Sequence, residues 1–366
     1  MVNVAAPRLS RRPSRRRALV WAMATAALTP GLWGGAGPVF AKAGEGPGAQ
    51  APVLVDRSAF VFPYTTRAAW LAFVRGLEGG EAAAADYATL YSEADYARYV
   101  EGRTTHIERI RYRNQGLTIH GLMVAPRTPG PHPVIIYNHG GVMQWGRILL
   151  PEVLEFNRLA ERGYIVLAST YRGESGSDGQ PSMDGGDVSD SLALMTVAAG
   201  LPQADADRIG MWGFSRGGLV TYGALARDPG LRAAVIVGGP TDLVHASRRA
   251  EFDAFVYPHV ITDYAADPTR ALTRLSPIEW PQALAAIPLL LLQGGADDRV
   301  DPSDAVRMAA ALQALHRPCR LKVYEGGSHT LSENYADVRR ELDRWFDLYV
   351  RDANLSAPAS AAMPPP

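Results

Sequence analysis

The 366-residue chain is 47% hydrophobic with 37 basic and 37 acidic side chains, enough for one large α/β domain or two small ones. Seven of the basic residues (Arg8, Arg11, Arg12, Arg15, Arg16, Arg17 and Lys42) lie within residues 1 to 43, which hold no acidic residue, so the remainder carries 30 basic against 37 acidic groups. That balance argues against nucleic acid as the main partner, because phosphate binding needs clustered Lys and Arg, and the single cysteine, Cys319, excludes an intrachain disulfide.

Residues 1 to 43 read as an export signal. Ser14-Arg15-Arg16-Arg17-Ala18-Leu19 resembles the twin-arginine motif, an apolar stretch runs from Ala18 to Leu32, and Ala41-Lys42-Ala43 offers the small residues that a signal peptidase needs. The stretch is shorter than the roughly 20 residues of a spanning helix, so the expectation is cleavage before Gly44, no stable membrane insertion afterwards, and a periplasmic or secreted product.

Residues 44 to 56, rich in Gly, Pro and Ala, read as a linker that leads into a helical N-terminal extension ending near residue 104. Three helical patterns follow over Ala68 to Val74, Ala82 to Tyr91 and Ala94 to Val100. The aromatic pairs Trp70 and Phe73, Tyr87 and Tyr91, and Tyr96 and Tyr99 each fall on one helical face, which suits packing onto the main domain.

From Thr105 the period changes to two. His106 to Arg113 and Leu117 to Ala125 read as strands joined by a turn at Asn114-Gln115-Gly116, and Pro133 to Tyr137 as a buried third strand. Helices and strands then alternate: a helix over Val153 to Arg162, a strand over Tyr164 to Ser169, a helix over Val188 to Ala199 and a strand over Ile209 to Trp212. Further strands are expected over Ala233 to Val237, Pro288 to Gln293 and Arg320 to Tyr324, with helices over Leu219 to Ala226, Ser303 to Leu315 and Asn334 to Val350. Such alternation implies an α/β fold with a mainly parallel sheet and helices on both faces, here a catalytic domain over residues 105 to 351. The insertion from Thr241 to Leu284, with Phe252, Phe255, Tyr257, Tyr264 and Trp280, reads either as a cap or as extra helices packed at the rim. Residues 352 to 366 are mostly Ala, Pro and Ser and are expected to lack fixed structure.

Gly213-Phe214-Ser215-Arg216-Gly217 carries the Gly-x-Ser-x-Gly spacing between a short apolar strand and a helix, the setting of a nucleophile elbow. A serine hydroxyl needs a base to take its proton, and the base needs a carboxylate to fix its tautomer. Asp297 follows the strand ending at Gln293 and His329 follows the strand ending at Tyr324, so Ser215, Asp297 and His329 all fall on loops at carboxyl ends of strands. Asn138-His139-Gly140-Gly141 can supply the Gly141 N–H as an oxyanion donor opposite that of Arg216. Asp184, Asp187 and Asp190 span a Gly-rich loop and a helix start, where aspartates act as caps, and the remaining histidines lack a ligand pattern; no metal or other cofactor is implied. Arg172 reads either as steadying the site or as a binder of a substrate carboxylate, with structure the favoured role.

Asn138 to Gly141, Tyr171-Arg172-Gly173, Asp207 to Gly218, Leu275-Ser276-Pro277, Gly294 to Val300 and Gly326 to His329 resemble the catalytic domain of the prolyl oligopeptidase family, within the α/β-hydrolase superfamily. The resemblance implies an α/β-hydrolase fold with an eight-stranded sheet, the triad above, and hydrolysis of peptide or sometimes ester bonds. It also supports Asp297 over Asp298, because the family's carboxylate stands three residues before a valine, here Val300. Two departures are visible: Gln293 replaces a histidine common in relatives, and only about 60 residues separate Gly44 from the hydrolase domain, too few for the propeller that gates large substrates. The expectation is an exported serine hydrolase of the prolyl oligopeptidase type that cleaves peptide (amide) bonds of small substrates through the triad and an acyl-enzyme, with a carboxylesterase on the same triad and a catalytically silent binding protein as the other readings.

Overall fold

The computed structural model describes residues 53–353 apart from 78–79, 144–146 and 228–229; the expected export segment 1–43, the linker up to residue 52 and the tail from residue 354 lie outside the described residues. One sheet is built from β1 (Val53–Ala59), β2 (Thr105–Asn114), β3 (Leu117–Pro126), β4 (His132–Asn138), β5 (Ile165–Ser169), β6 (Ala204–Phe214), β7 (Ala233–Val237), β8 (Leu289–Gly294) and β9 (Cys319–Tyr324). Its order is β1-β2-β3-β5-β4-β6-β7-β8-β9. The first three pairings, β1 with β2, β2 with β3 and β3 with β5, are antiparallel, and all the others are parallel.

Eight strands were expected and nine are present among the described residues. The additional one, β1, begins inside the segment read as a linker and pairs only with β2, from Val53↔Arg113 to Ala59↔Glu108. As an edge strand it buries no residue, so its sequence carries no apolar face to announce it. The β2–β3 turn is as expected: Gln115 and Gly116 both have positive φ, 50° and 79°, which matches the strand twist in a two-residue hairpin.

Helices cover both faces. α1 (Arg67–Arg75), α2 (Gly80–Leu90) and α3 (Glu93–Val100) form the N-terminal extension, followed by α4 (Leu150–Glu161), α5 (Gly186–Ala199) and α6 (Arg216–Leu225). Trp70 is fully buried and stacks on Tyr87 and Tyr96, with ring centroids 5.0 and 5.7 Å apart. The Tyr91 hydroxyl donates to the Pro151 carbonyl at 2.9 Å, and Arg98 pairs with Glu161, so the extension is fastened to α4. The expected aromatic packing is therefore what places these helices on the main body.

The insertion contains α7 (Arg249–Phe255), α8 (Tyr257–Val260) and α9 (Pro268–Leu275); α10 (Pro302–Ala314) and α11 (Tyr335–Phe346) complete the fold. Val256, Tyr257, Val260, Ile261, Tyr264 and Leu272 form a small separate core with Val142 and Met183. Through Val142 the insertion rests on the loop that follows β4. Because β4, β6, β7, β8 and β9 run parallel, the loops after them open on one edge of the sheet, where α/β sheets carry their sites. Among the described residues no helix is long and apolar enough to cross a membrane.

Candidate active site

The turn from β6 to α6 is tight enough to dictate its composition. A Cβ on Gly213 would stand 2.3 Å from the Gly217 carbonyl oxygen, and one on Gly217 would stand 1.9 Å from the Asn138 carbonyl oxygen, so neither position accepts a side chain. Ser215 between them adopts φ 53° and ψ −124°. Its N–H donates to the Val237 carbonyl at 2.9 Å and its carbonyl accepts from Gly218 N–H at 2.8 Å. This is a non-glycine residue held in a sparsely populated conformation by its surroundings, with its hydroxyl pushed off the sheet edge.

His329 lies between Ser215 and Asp297: its Nε2 is 2.9 Å from Ser215 Oγ and its Nδ1 is 2.8 Å from Asp297 Oδ2. Asp297 is 8% exposed and Ser215 is half-buried, so the row runs from interior to surface. All four lone-pair sites of Asp297 are occupied. Oδ1 accepts from the N–H groups of Arg299 and Val300 at 2.9 and 3.0 Å, and Oδ2 accepts from His329 Nδ1 and from Gln293 Nε2 at 3.0 Å. Burial pushes this carboxyl's pKa up, yet the hydrogen bonds from His329, Val300 and Arg299 outweigh it and hold the group below the usual carboxylate range. An ionised carboxylate can only accept, so the proton between the pair sits on Nδ1 and Nε2 presents a lone pair to the serine hydroxyl. Asp298, the neighbouring carboxylate, is exposed.

Gly140 borders the serine: a Cβ there would lie 3.0 Å from Ser215 Cβ. Gly141 follows with φ 72°. Arg216 is the first residue of α6, so its N–H has no acceptor within the helix and sits at the positive end of the helix dipole.

Sequence reasoning missed the cluster behind these donors. The Arg216 guanidinium is buried and faces Glu174 at 3.2 Å and Asp187 at 3.3 Å, with both acids buried as well. Desolvation raises the Glu174 carboxyl to about 7 and that of Asp187 to about 6, against the opposing pull of Arg216. His139 donates from Nδ1 to the Gly140 carbonyl at 2.8 Å; burial and the neighbouring Arg216 lower its pKa to about 3, so it is neutral. Gln293 was noted in the sequence, but its direct bond to Asp297 was not foreseen.

The three aspartates singled out in the sequence diverge. Asp184 pairs with Arg274 of α9, Asp187 bonds Val188 N–H and Arg216, and Asp190 is fully buried against Arg172, whose guanidinium reaches it at 2.8 Å. Arg172 is thus a fixed structural pair. A cleft of about 360 Å³ runs along α6 beneath the insertion, lined by Met183, Val188, Leu219, Leu275 and Trp280 with Asp187 and Arg216; neither Ser215 nor His329 lines it.

The fold and this row of side chains define an α/β-hydrolase with a serine in the nucleophile position. Residues 152–354 match the model of the prolyl oligopeptidase family, and the chain belongs to that family; it is a serine hydrolase. It is 28% identical over 241 residues to an uncharacterized peptidase of Bacillus subtilis, YtmA, covering 65% of this chain and 91% of that one. It is 25% identical over 247 residues to the acylamino-acid-releasing enzyme of Sus scrofa, covering 62% of this chain and 32% of the relative. Among solved structures, the acylaminoacyl peptidase of Pyrococcus horikoshii superposes with a TM-score of 0.59 at 20% identity, covering 70% of this chain and 43% of that one, a likeness of fold. The chain thus spans about a third of the acylamino-acid-releasing enzyme and less than half of the archaeal peptidase.

Proposed function

We propose that the protein is an exported serine peptidase that cleaves amide bonds of small substrates through an acyl-enzyme on Ser215. The observation that carries this reading is the pair of hydrogen bonds flanking His329, 2.9 Å to Ser215 Oγ and 2.8 Å to Asp297 Oδ2. As Ser215 Oγ attacks the scissile carbonyl carbon, His329 Nε2 takes its proton and Asp297 stabilises the resulting imidazolium. The carbonyl oxygen becomes an oxyanion between the N–H groups of Gly141 and Arg216. His329 then gives the proton to the departing amine, and a water activated by the same nitrogen releases the acyl group.

The acylamino-acid-releasing relative suggests a short, N-terminally blocked peptide as substrate. The insertion over 241–284 has a core of its own that reaches the loop after β4, and it would restrict the mouth to acyl groups and peptide ends. Nucleic acid is no part of this reading. Export rests on the Arg-rich start, the apolar run and Ala41-Lys42-Ala43, and N-terminal sequencing of exported protein should give Gly44; a start at Met1 would contradict cleavage.

Amide cleavage demands well-placed protonation of a poor leaving group, whereas an activated ester leaves almost unaided. The kcat/KM on aminoacyl-arylamides should therefore fall within about 10³ of that on matched esters, a difference of roughly 4 kcal/mol in barrier. Rapid ester turnover without detectable amide cleavage would make the enzyme a carboxylesterase instead.

A further inference from the structure

The two proposed oxyanion donors, Gly141 and Arg216, sit on separate elements far apart in sequence, the loop after β4 and the first turn of α6. Such a pair works only when both N–H groups lie about 2.7–3.1 Å from one oxygen, so whatever fixes their separation governs the transition state. Glu174 bridges the two carriers. Its Oε1 accepts from the N–H of Met143, two residues past Gly141, at 2.9 Å, and its two oxygens accept from Arg216 Nη2 at 3.2 and 3.3 Å.

The bridge is built at a cost to the local chain. Glu174 is 3% exposed although Gly176, Asp178, Gly179 and Gln180 of the same loop face solvent. Tyr171 and Ser175 on either side of it, and Met143 that bonds to it, have φ of 53°, 48° and 57°. Side-chain-bearing residues rarely adopt that region, and it persists where surroundings over-determine it, commonly at functional sites. A stack supports the same link: the Arg216 guanidinium lies 4.8 Å over the Tyr171 ring, whose centroid is 4.3 Å from that of His139, the residue before Gly140. Glu174, Asp187 and the guanidinium between them are all buried, which sets this cluster apart from an ordinary surface ion pair.

We propose that Glu174 is a positioning residue of the oxyanion site: by holding Met143 N–H and the Arg216 side chain on one carboxylate, it sets the separation of the Gly141 and Arg216 backbone donors. It acts through those donors and has no contact with the serine, so its effect falls on kcat and leaves ground-state binding alone. The inference rests on the proposed hydrolytic mechanism, and the test separates the two.

Kinetics on p-nitrophenyl acetate and inhibition by an acylaminoacyl trifluoromethyl ketone would be measured for the wild type, Glu174→Gln and Glu174→Ala. In the ketone adduct Ser215 Oγ bonds to the carbonyl carbon, its proton passes to His329 Nε2 and the oxygen takes the negative charge, so its affinity reports the oxyanion site directly. Glu174→Ala should lower kcat about 10- to 100-fold with KM within about twofold, less than the roughly 10²- to 10³-fold that follows outright loss of a donor. Ketone affinity should fall by the same factor as kcat/KM. Glu174→Gln keeps an acceptor for Met143 N–H and should lie between the wild type and Glu174→Ala. A folded Glu174→Gln with kcat and ketone affinity within twofold of wild type would overturn the inference, even if Glu174→Ala fails to fold. A wild type inert towards both the ester and a fluorophosphonate probe would instead overturn the hydrolytic mechanism beneath it.

Discussion

Two buried acid clusters flank the same serine, and their carboxyl groups are shifted in opposite directions. Asp297 is held below its ordinary range, while Glu174 and Asp187 are raised to about 7 and about 6. All three are buried, and the raised pair has the formal positive charge of Arg216 beside it, so nearness to a cation does not decide the outcome. What differs is the count of donors. Asp297 accepts four hydrogen bonds, two of them from backbone N–H groups, whereas Glu174 and Asp187 each accept from a single backbone N–H, that of Met143 and that of Val188, and share one guanidinium. Fixed N–H donors replace lost hydration for an anion; a single shared cation does so only in part.

The largest consequence of the contrast is catalytic. Asp297→Asn keeps the shape of its site but can no longer enforce the proton on His329 Nδ1, and kcat should fall by on the order of 10⁴. Asp298→Asn, on an exposed neighbour, should leave kcat near wild type. Steady-state kinetics of the two variants checks this, and the reverse ranking would reassign the carboxylate.

A smaller effect concerns stability. Groups raised in the folded state bind protons more tightly there than in the unfolded chain, so the contribution of Glu174 and Asp187 is fully present below about pH 4.5 and is lost as pH rises through about 7. Asp297 runs the other way: its contribution is present above about pH 4 and is lost as pH falls through its lowered value. The charged groups that face Glu174 are Arg216, Asp187 and Asp190, with neutral His139 and Tyr171 beside them. Glu174→Gln should therefore gain Tm relative to wild type as pH is raised from about 5 to about 8. A difference that stays constant across that window would contradict the raised value. Lower activity together with better alkaline stability would mark Glu174 as a residue kept for function.

Much of the site was legible because local patterns carry it. The apolar strand ahead of Ser215, the glycines that a Cβ would drive into backbone, and the loops after β8 and β9 can each be read without tertiary knowledge, and the parallel sheet then brings their tips together. Strand β1 was not legible, since an edge strand with no buried face has no periodicity to read. Glu174 was hidden for a related reason. The stretch Tyr171-Arg172-Gly173-Glu174-Ser175-Gly176 has no apolar periodicity to mark a buried position, and its buried carboxylate is covered by Arg216 from a distant helix. Arg216 itself was chosen for its N–H, and nothing local signalled that its side chain turns inward. Asp187 was read as a helix cap, but the cap of α5 is Gly185 and Asp187 lies inside the helix, where one oxygen accepts from Val188 N–H and the other is committed to Arg216.

The central claim is that Ser215 is the nucleophile of this row. Intact-mass measurement after reaction with a fluorophosphonate, followed by peptide mapping, tests it most directly. One adduct should form, on the peptide containing Ser215, and Ser215→Ala should take up no label and lose about 10⁴- to 10⁶-fold in kcat while keeping its fold. An adduct on another serine, or ester hydrolysis that survives in Ser215→Ala, would contradict the account.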